Sequence, residues 1–310
     1  MTSPVGAKEL SVDAKLLPRP ARSWLTAWLR GEAVFLLPAA LYLAALVLYP
    51  FIALLQMSVS NVTADNIFKT WTFVGLGEFQ TVIATPDFRE ALLNTLIYVA
   101  IVVLIGMVGG LFAAIVVWED RGFLGFVLGL MVFVWAMPPI VTGSVWKFLF
   151  AEQGPINGFL TPFGLSPVLW LVTGNLPLIS VAFVCSWAAV PFATIIFRAA
   201  LLDIPPELLD AAKVDGASPS EALWRVVLPL LRPTTLVLGT LMTMYAFRSF
   251  DYIYIMTYGG PGTVSTTLPF LGYRLAFVSF QFSQGAATAV VSVAIVFLLA
   301  LVYIRQVQAE

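Results

Sequence analysis

The chain has 310 residues, of which 60% are hydrophobic and only 11% charged, with a formal net charge of -1. A soluble domain carries about 25% charged residues, so this inventory cannot build a water-facing surface and points to an integral membrane protein. The charge balance leaves no basic face for nucleic acid, the absence of His removes imidazole chemistry, and the lone Cys185 cannot form an internal disulfide.

Residues 1–32 are polar and carry Lys8, Lys15, Arg19, Arg22 and Arg30. They read as a cytoplasmic tail and not as a cleaved leader, because the apolar run that follows is too long for a signal core. Within them, "SWLTAWLR" at 23–30 suits either a short surface helix or a disordered lead-in.

The first uncharged run is 33–55, and a crossing needs roughly 20 such residues. Two more, 91–118 and 122–146, are separated only by "EDR" at 119–121, which predicts a tight helical hairpin. A fourth run ends at Phe197 and is expected to begin near Leu176. A fifth covers about 233–256, interrupted by Arg248 and Asp251, and a sixth runs from near Gly285 to Ile304. Residues 33–310 are therefore expected to form one six-span domain. The mixed segments 56–90, 147–175 and 257–284 read as loops and interfacial turns.

With six spans both ends of the chain fall on one side. The N-terminal tail, 119–121, 198–232 and the C-terminal tail together hold eleven of the sixteen Lys and Arg, against four in the opposite segments. That excess predicts a cytoplasmic location for the richer set, both termini included.

The segment at about 198–232 is the most informative. Pro205 and Pro206 can start a helix, Glu207 and Asp210 suit its first turn, and Leu208, Ala211 and Ala212 form a small apolar face. Gly216 can end it, Ser218 or Ser220 can cap a second helix, and Pro229 and Pro233 break or kink the entry to the fifth run. From pattern alone this is either a knob that docks on a cytoplasmic partner or a plain interfacial connector.

"LLDAAKVDGASPSEALWRVVLPLLRP" resembles the signature loop of the inner-membrane permeases of bacterial ABC importers. That signature runs E-A-A, three residues, G, nine residues, I, one residue, L-P. Asp210 stands at the Glu position, Ala211, Ala212 and Gly216 match, Val226 takes the Ile position, and Leu228-Pro229 match. The carbohydrate-uptake branch, with the maltose and glycerol-3-phosphate permeases, is similar over 121–160, at Arg121-Gly122, Pro138, Trp146, Phe150, Gly154 and Asn157. It is similar again over 247–277, at Phe250-Asp251, Thr257, Gly259-Gly260-Pro261 and Thr266.

The resemblance implies an all-α polytopic fold of six transmembrane helices, that of type I ABC importer permeases. It implies a non-catalytic subunit that forms half of a path for a sugar or related polyol. The implied partners are membrane lipid, a second paralogous permease, two ABC ATPase subunits and an extracytoplasmic solute-binding protein. No cofactor is expected in this chain: it lacks a Gly-rich phosphate loop followed by Lys, and ATP and Mg belong to the ATPases. The coupling residues carried over are Glu207, Asp210, Ala211, Ala212, Asp215, Gly216 and Pro229. Ala211 and Ala212 would allow close packing in the ATPase groove, and Asp215 either pairs with a basic group there or is solvated.

A sugar path should offer aromatic faces and a few polar groups, which selects Asn94, Trp135, Trp187, Tyr245 and Tyr252, each also readable as a packing or interfacial residue. Arg248 and Asp251 are three residues apart in the fifth run. They read as a mutually satisfied pair or gate contact, as solute contacts, or as groups reaching the outer rim. Sparse positive charge in the spans favours a neutral solute over a phosphorylated one. Gly106, Gly109 and Gly110 read as close helix packing. The competing function is an ion-coupled secondary transporter, for which Asp251 would be the one clear intramembrane acid.

Overall fold

A computed structural model describes residues 35–118 and 122–308. The tail expected at 1–32, its segment 23–30, and the 119–121 link lie outside the described residues. Two units divide the chain, residues 1–53 and 54–310.

In the first unit the described residues are almost wholly exposed and apolar, and they begin helix α1, Leu37–Ser58. So much exposed aliphatic surface suits lipid rather than water.

The second unit continues with a two-residue antiparallel pair, β1 Ser60–Asn61 and β2 Thr72–Phe73, and a short helix, α2, Gly77–Ile83. Helix α3 spans Pro86–Val116, capped by Thr85, whose side chain accepts the Phe88 N–H. Then come α4 Gly122–Ala136, α5 Pro139–Leu149, α6 Pro155–Leu160 and α7 Leu176–Leu202. A short α8, Pro206–Val214, leads to α9 Pro219–Leu230 and α10 Arg232–Phe247. The chain ends in α11 Asp251–Met256, α12 Leu268–Val278 and α13 Phe282–Gln308.

Helices α1, α3, α7 and α13 are each long and apolar enough to cross a membrane. Two bent pairs supply the remainder: α4 and α5 meet at 100°, and α9 meets the helix that follows it at 65°. Counting each pair as one crossing gives six.

The third run, expected to be continuous over 122–146, is thus broken. Its cause is the Met137-Pro138-Pro139 sequence. Proline pushes the residue before it out of the helical region, and Pro138 accordingly sits at φ -57°, ψ 138°. At 15 residues α4 is about 22 Å long, short of the roughly 30 Å hydrocarbon core. The segment 147–175, expected as loop and turns, holds the end of α5, then α6 and a 3-10 turn, Thr161–Phe163.

Helix α7 is the centre of the unit. In its most apolar window 61% of residues are buried, against 28% in α3 and in α13. Val181, Val184 and Cys185 pack on Tyr98, Val102 and Ile253, and further along Phe197 and Leu201 pack on Val227 and Leu231. Glycine lets α3 approach. A Cβ on Gly110 would run into the Ala193 side chain, with the Ala193 carbonyl carbon 3.1 Å away, and one on Gly109 would meet Val190 at 3.0 Å. A Cβ on Gly106 would strike Met242. The glycines therefore mark close helix packing, as their spacing predicts.

Candidate functional site

The prolines at 205 and 206 repeat the device seen at 138 and 139. Pro205 is extended, at φ -58°, ψ 129°, and Pro206 opens α8, where a missing N–H costs nothing. Gly216 stops the helix. Its φ is +83°, the left-handed region that residues with a Cβ enter at a cost. The Gly216 N–H bonds to the Lys213 carbonyl at 3.0 Å and the Ala217 N–H to the Ala212 carbonyl at 2.9 Å. This Schellman pair satisfies carbonyls at the helix end. Ser218 then opens α9. The Glu221 N–H donates to Ser218 Oγ at 3.3 Å, and the Ser218 N–H donates to Glu221 Oε2 at 2.9 Å. That reciprocal bonding holds the Glu221 carboxyl below the usual range.

Successive helical residues turn by about 100°, so the side chains of α8 divide between two faces. Leu209 is half-buried and Ala212 buried, and Leu209 packs with Ile204 and Leu223 on the core formed by Phe197, Leu201 and Val227. Glu207, Leu208, Asp210, Ala211, Val214 and Asp215 are exposed. The expected apolar face is therefore corrected: Leu209 and Ala212 face inward, leaving Leu208 and Ala211 outside. Asp210 pairs with Lys213 at 2.9 Å, but both side chains are about 70% exposed, so the pair contributes little. Pro229 lies at the end of α9, just before the 65° bend.

Two residues of this region escaped the sequence reading. One is Leu209, the inward anchor, whose i, i+3 relation to Ala212 was legible. The other is Arg198 on α7, whose Nε donates to the Val117 carbonyl at 2.9 Å and so ties the end of α3 to the end of α7 just before α8. As a basic residue ending an apolar run, Arg198 signals only an interface, and its partner is 81 residues away.

The solute-path candidates do not stay together. A groove of about 1170 Å³ opens along α10, α12 and α13, and Trp135, Tyr245 and Arg248 line it. Trp135 stacks on Phe192 there, ring centroids 5.7 Å apart. Trp187 stands outside this lining, edge-on to Trp146 at 5.4 Å. Tyr252 is buried against α7 and does not line the groove either.

Asn94 is a fastening, and its placement on a solute path is corrected. Its Nδ2 donates to the carbonyls of Thr263 and Thr266, at 3.0 and 3.1 Å. Beside it, Thr263 Oγ1 donates to Glu90 Oε2 at 2.6 Å and the Leu268 N–H to Thr95 Oγ1 at 2.8 Å. Three side chains at the start of α3 thus hold the loop that carries Gly259-Gly260-Pro261.

The Arg248–Asp251 pair is likewise corrected. Arg248 is the C-cap of α10, and Asp251 begins α11 after a break at 248–250. The shared helical face does not exist. Among the described residues the ion pairs are Lys213–Asp210 and Arg225–Glu221, and both Arg248 and Asp251 are exposed.

A family model described as "Binding-protein-dependent transport system inner membrane component" matches residues 106–309. The chain belongs to this family. It is similar to the sulfoquinovosyl glycerol permease SmoG of Agrobacterium fabrum, at 30% identity over 96% of this chain and 97% of that protein. Similarity extends to the trehalose/maltose permease MalF of Thermococcus litoralis, at 30% over 75% of this chain and 79% of that one. The sn-glycerol-3-phosphate permease UgpA of Agrobacterium fabrum is 32% identical over 80% of this chain and 85% of its own. Among solved structures, a chain of a bacterial ABC transporter that imports alginate superposes with a TM-score of 0.79 at 22% identity, covering 92% of this chain and 98% of that one. The fold is thus that of ABC importer permeases.

As a member of this family the chain is a membrane permease subunit and not the ATPase. Membership sets aside the ion-coupled alternative.

Proposed function

We propose that this permease forms half of the translocation path for a sugar or related polyol and that α8 is its coupling helix. The observation that carries the reading is the form of α8. It is a short helix with a defined start and stop, anchored inward by Leu209 and Ala212, and presenting a row of exposed residues between the fourth and fifth crossings.

A second, paralogous permease completes the path, two ATPase subunits receive α8, and an extracytoplasmic binding protein delivers solute. ATP and Mg belong to the ATPases. The excess of basic residues supports a cytoplasmic location for 198–232 and both termini. Closure of the ATPase pair pushes α8, and Leu209 and the Arg198–Val117 bond pass that push to α3 and α7. The groove with Trp135 and Tyr245 provides the aromatic faces on which a sugar ring can lie. The solutes named for the relatives support the class: sulfoquinovosyl glycerol, trehalose or maltose, and glycerol 3-phosphate.

Reconstitution of the complete complex in proteoliposomes tests this. Uptake should require both ATP and the binding protein and should survive collapse of the ion gradients. Uptake that follows an ion gradient without ATP contradicts it.

A further inference from the structure

We infer that the solute carries an anionic group, a carboxylate, phosphate or sulfonate, and that Arg248 receives it. This rests on the groove being the solute path.

Among the residues that line the groove, Arg248 is the one charged side chain, and neither Asp nor Glu accompanies it. The surrounding surface is made largely of apolar groups such as Leu241, Met244 and Phe277. Among the described residues the Arg248 guanidinium makes no ion pair. Asp251, the nearest acid in sequence, sits beyond the helix break and does not line the groove.

Position makes this unusual. Arg248 lies 16 residues beyond Arg232, about 24 Å along α10, in a helix that belongs to a crossing. Ionisable groups within a crossing face a cavity or a partner rather than lipid. The carbonyl end of α10 offsets part of the charge but leaves the guanidinium donors unused. That planar fork matches the paired oxygens of a carboxylate or phosphate. A neutral sugar would leave the guanidinium without a counter-charge, because the groove lining offers no carboxylate. Sparse positive charge in the spans, which first favours a neutral solute, therefore points the other way: one cation without an internal partner is enough to select an anion.

The test uses the complete transporter in lipid nanodiscs, with calorimetric titration of matched probes: glucuronate against glucose, glycerol 3-phosphate against glycerol, and isethionate against ethylene glycol. Wild type should bind at least one anionic probe tenfold or more tighter than its neutral counterpart. R248Q should lose about tenfold to a hundredfold of that affinity, the range for a charged hydrogen bond, and R248K should keep part of it. Equal binding of both members of every pair, no binding of any anionic probe, or an R248Q complex that binds as wild type does would each overturn the inference. So would release of the second permease by R248Q, since Arg248 would then serve a partner-chain acid. W135A separates the two levels. If W135A weakens the neutral probes while R248Q changes nothing, only the anion inference falls. If W135A alters no probe, the groove is not the path and both fall.

Discussion

The Asn94 amide donates to the Thr266 carbonyl at 3.1 Å, across 172 positions of chain, and to the Thr263 carbonyl at 3.0 Å. Losing both bonds leaves the buried Thr266 carbonyl without its partner, at about 1–3 kcal/mol, whereas the Thr263 carbonyl keeps the Thr266 N–H at 2.9 Å. N94A should therefore lower the unfolding temperature of the purified complex and reduce maximal uptake. Because the side-chain amide is engaged by the loop carbonyls, the ranking of solutes in competition assays should be that of wild type. A changed ranking would return Asn94 to the solute path.

Close packing at Gly110 leads to a second expectation. A side chain there collides with Ala193, whose carbonyl carbon lies 3.1 Å from the Cβ position, whereas the same position on Gly129 meets nothing within 4 Å. Overpacking of this kind costs about 1–3 kcal/mol or more. G110L should yield little folded permease by fluorescence-detected gel filtration, and G129L should yield a wild-type peak. Equal yields would mean that α3 and α7 are not held as closely as described.

Periodicity and uncharged length made the crossings legible, because each run of about 20 apolar residues has to find lipid or a core. The break at Pro138 was less so: uncharged length is blind to backbone direction, although Pro138-Pro139 carried the information. The start and stop of α8 and the cap of α9 were readable from the sequence, since Pro206, Gly216 and Ser218 act through local backbone geometry, but the inward face of α8 was misread. Asn94 was misplaced because its partners lie far along the chain, and the Arg248–Asp251 pairing failed for a local reason. Asn94 is satisfied by a loop some 170 positions on, and Arg248 is separated from Asp251 by a break that no local pattern announced.

The Arg198–Val117 bond predicts a coupling defect. A hydrogen bond from a charged donor is worth about 1.5–3 kcal/mol, and here it ties two helix ends directly before α8. R198A should transport less solute per ATP hydrolysed while basal hydrolysis continues. Unchanged stoichiometry in proteoliposomes would show that the bond carries no part of the push.

Topology has its own measurement. Cys185 is buried and is the single cysteine, so C185A gives a clean background for S218C. An impermeant thiol reagent should label position 218 in inverted vesicles and not in intact cells. Labelling in intact cells would reverse the assigned orientation.

The coupling role of α8 is tested most directly at Gly216. No atom lies within 4 Å of a Cβ built there, so the barrier to substitution is the backbone at φ +83° and not a clash. A left-handed conformation costs roughly 1–2 kcal/mol for an ordinary residue, more for a β-branched one, and little for Asn. G216V and G216N should both reach the membrane at near-normal levels. Uptake and retention of the ATPase subunits on purification should fall sharply in G216V and stay close to wild type in G216N. Full uptake and full ATPase retention in G216V would contradict the account, because α8 could then lose its defined stop without any loss of coupling.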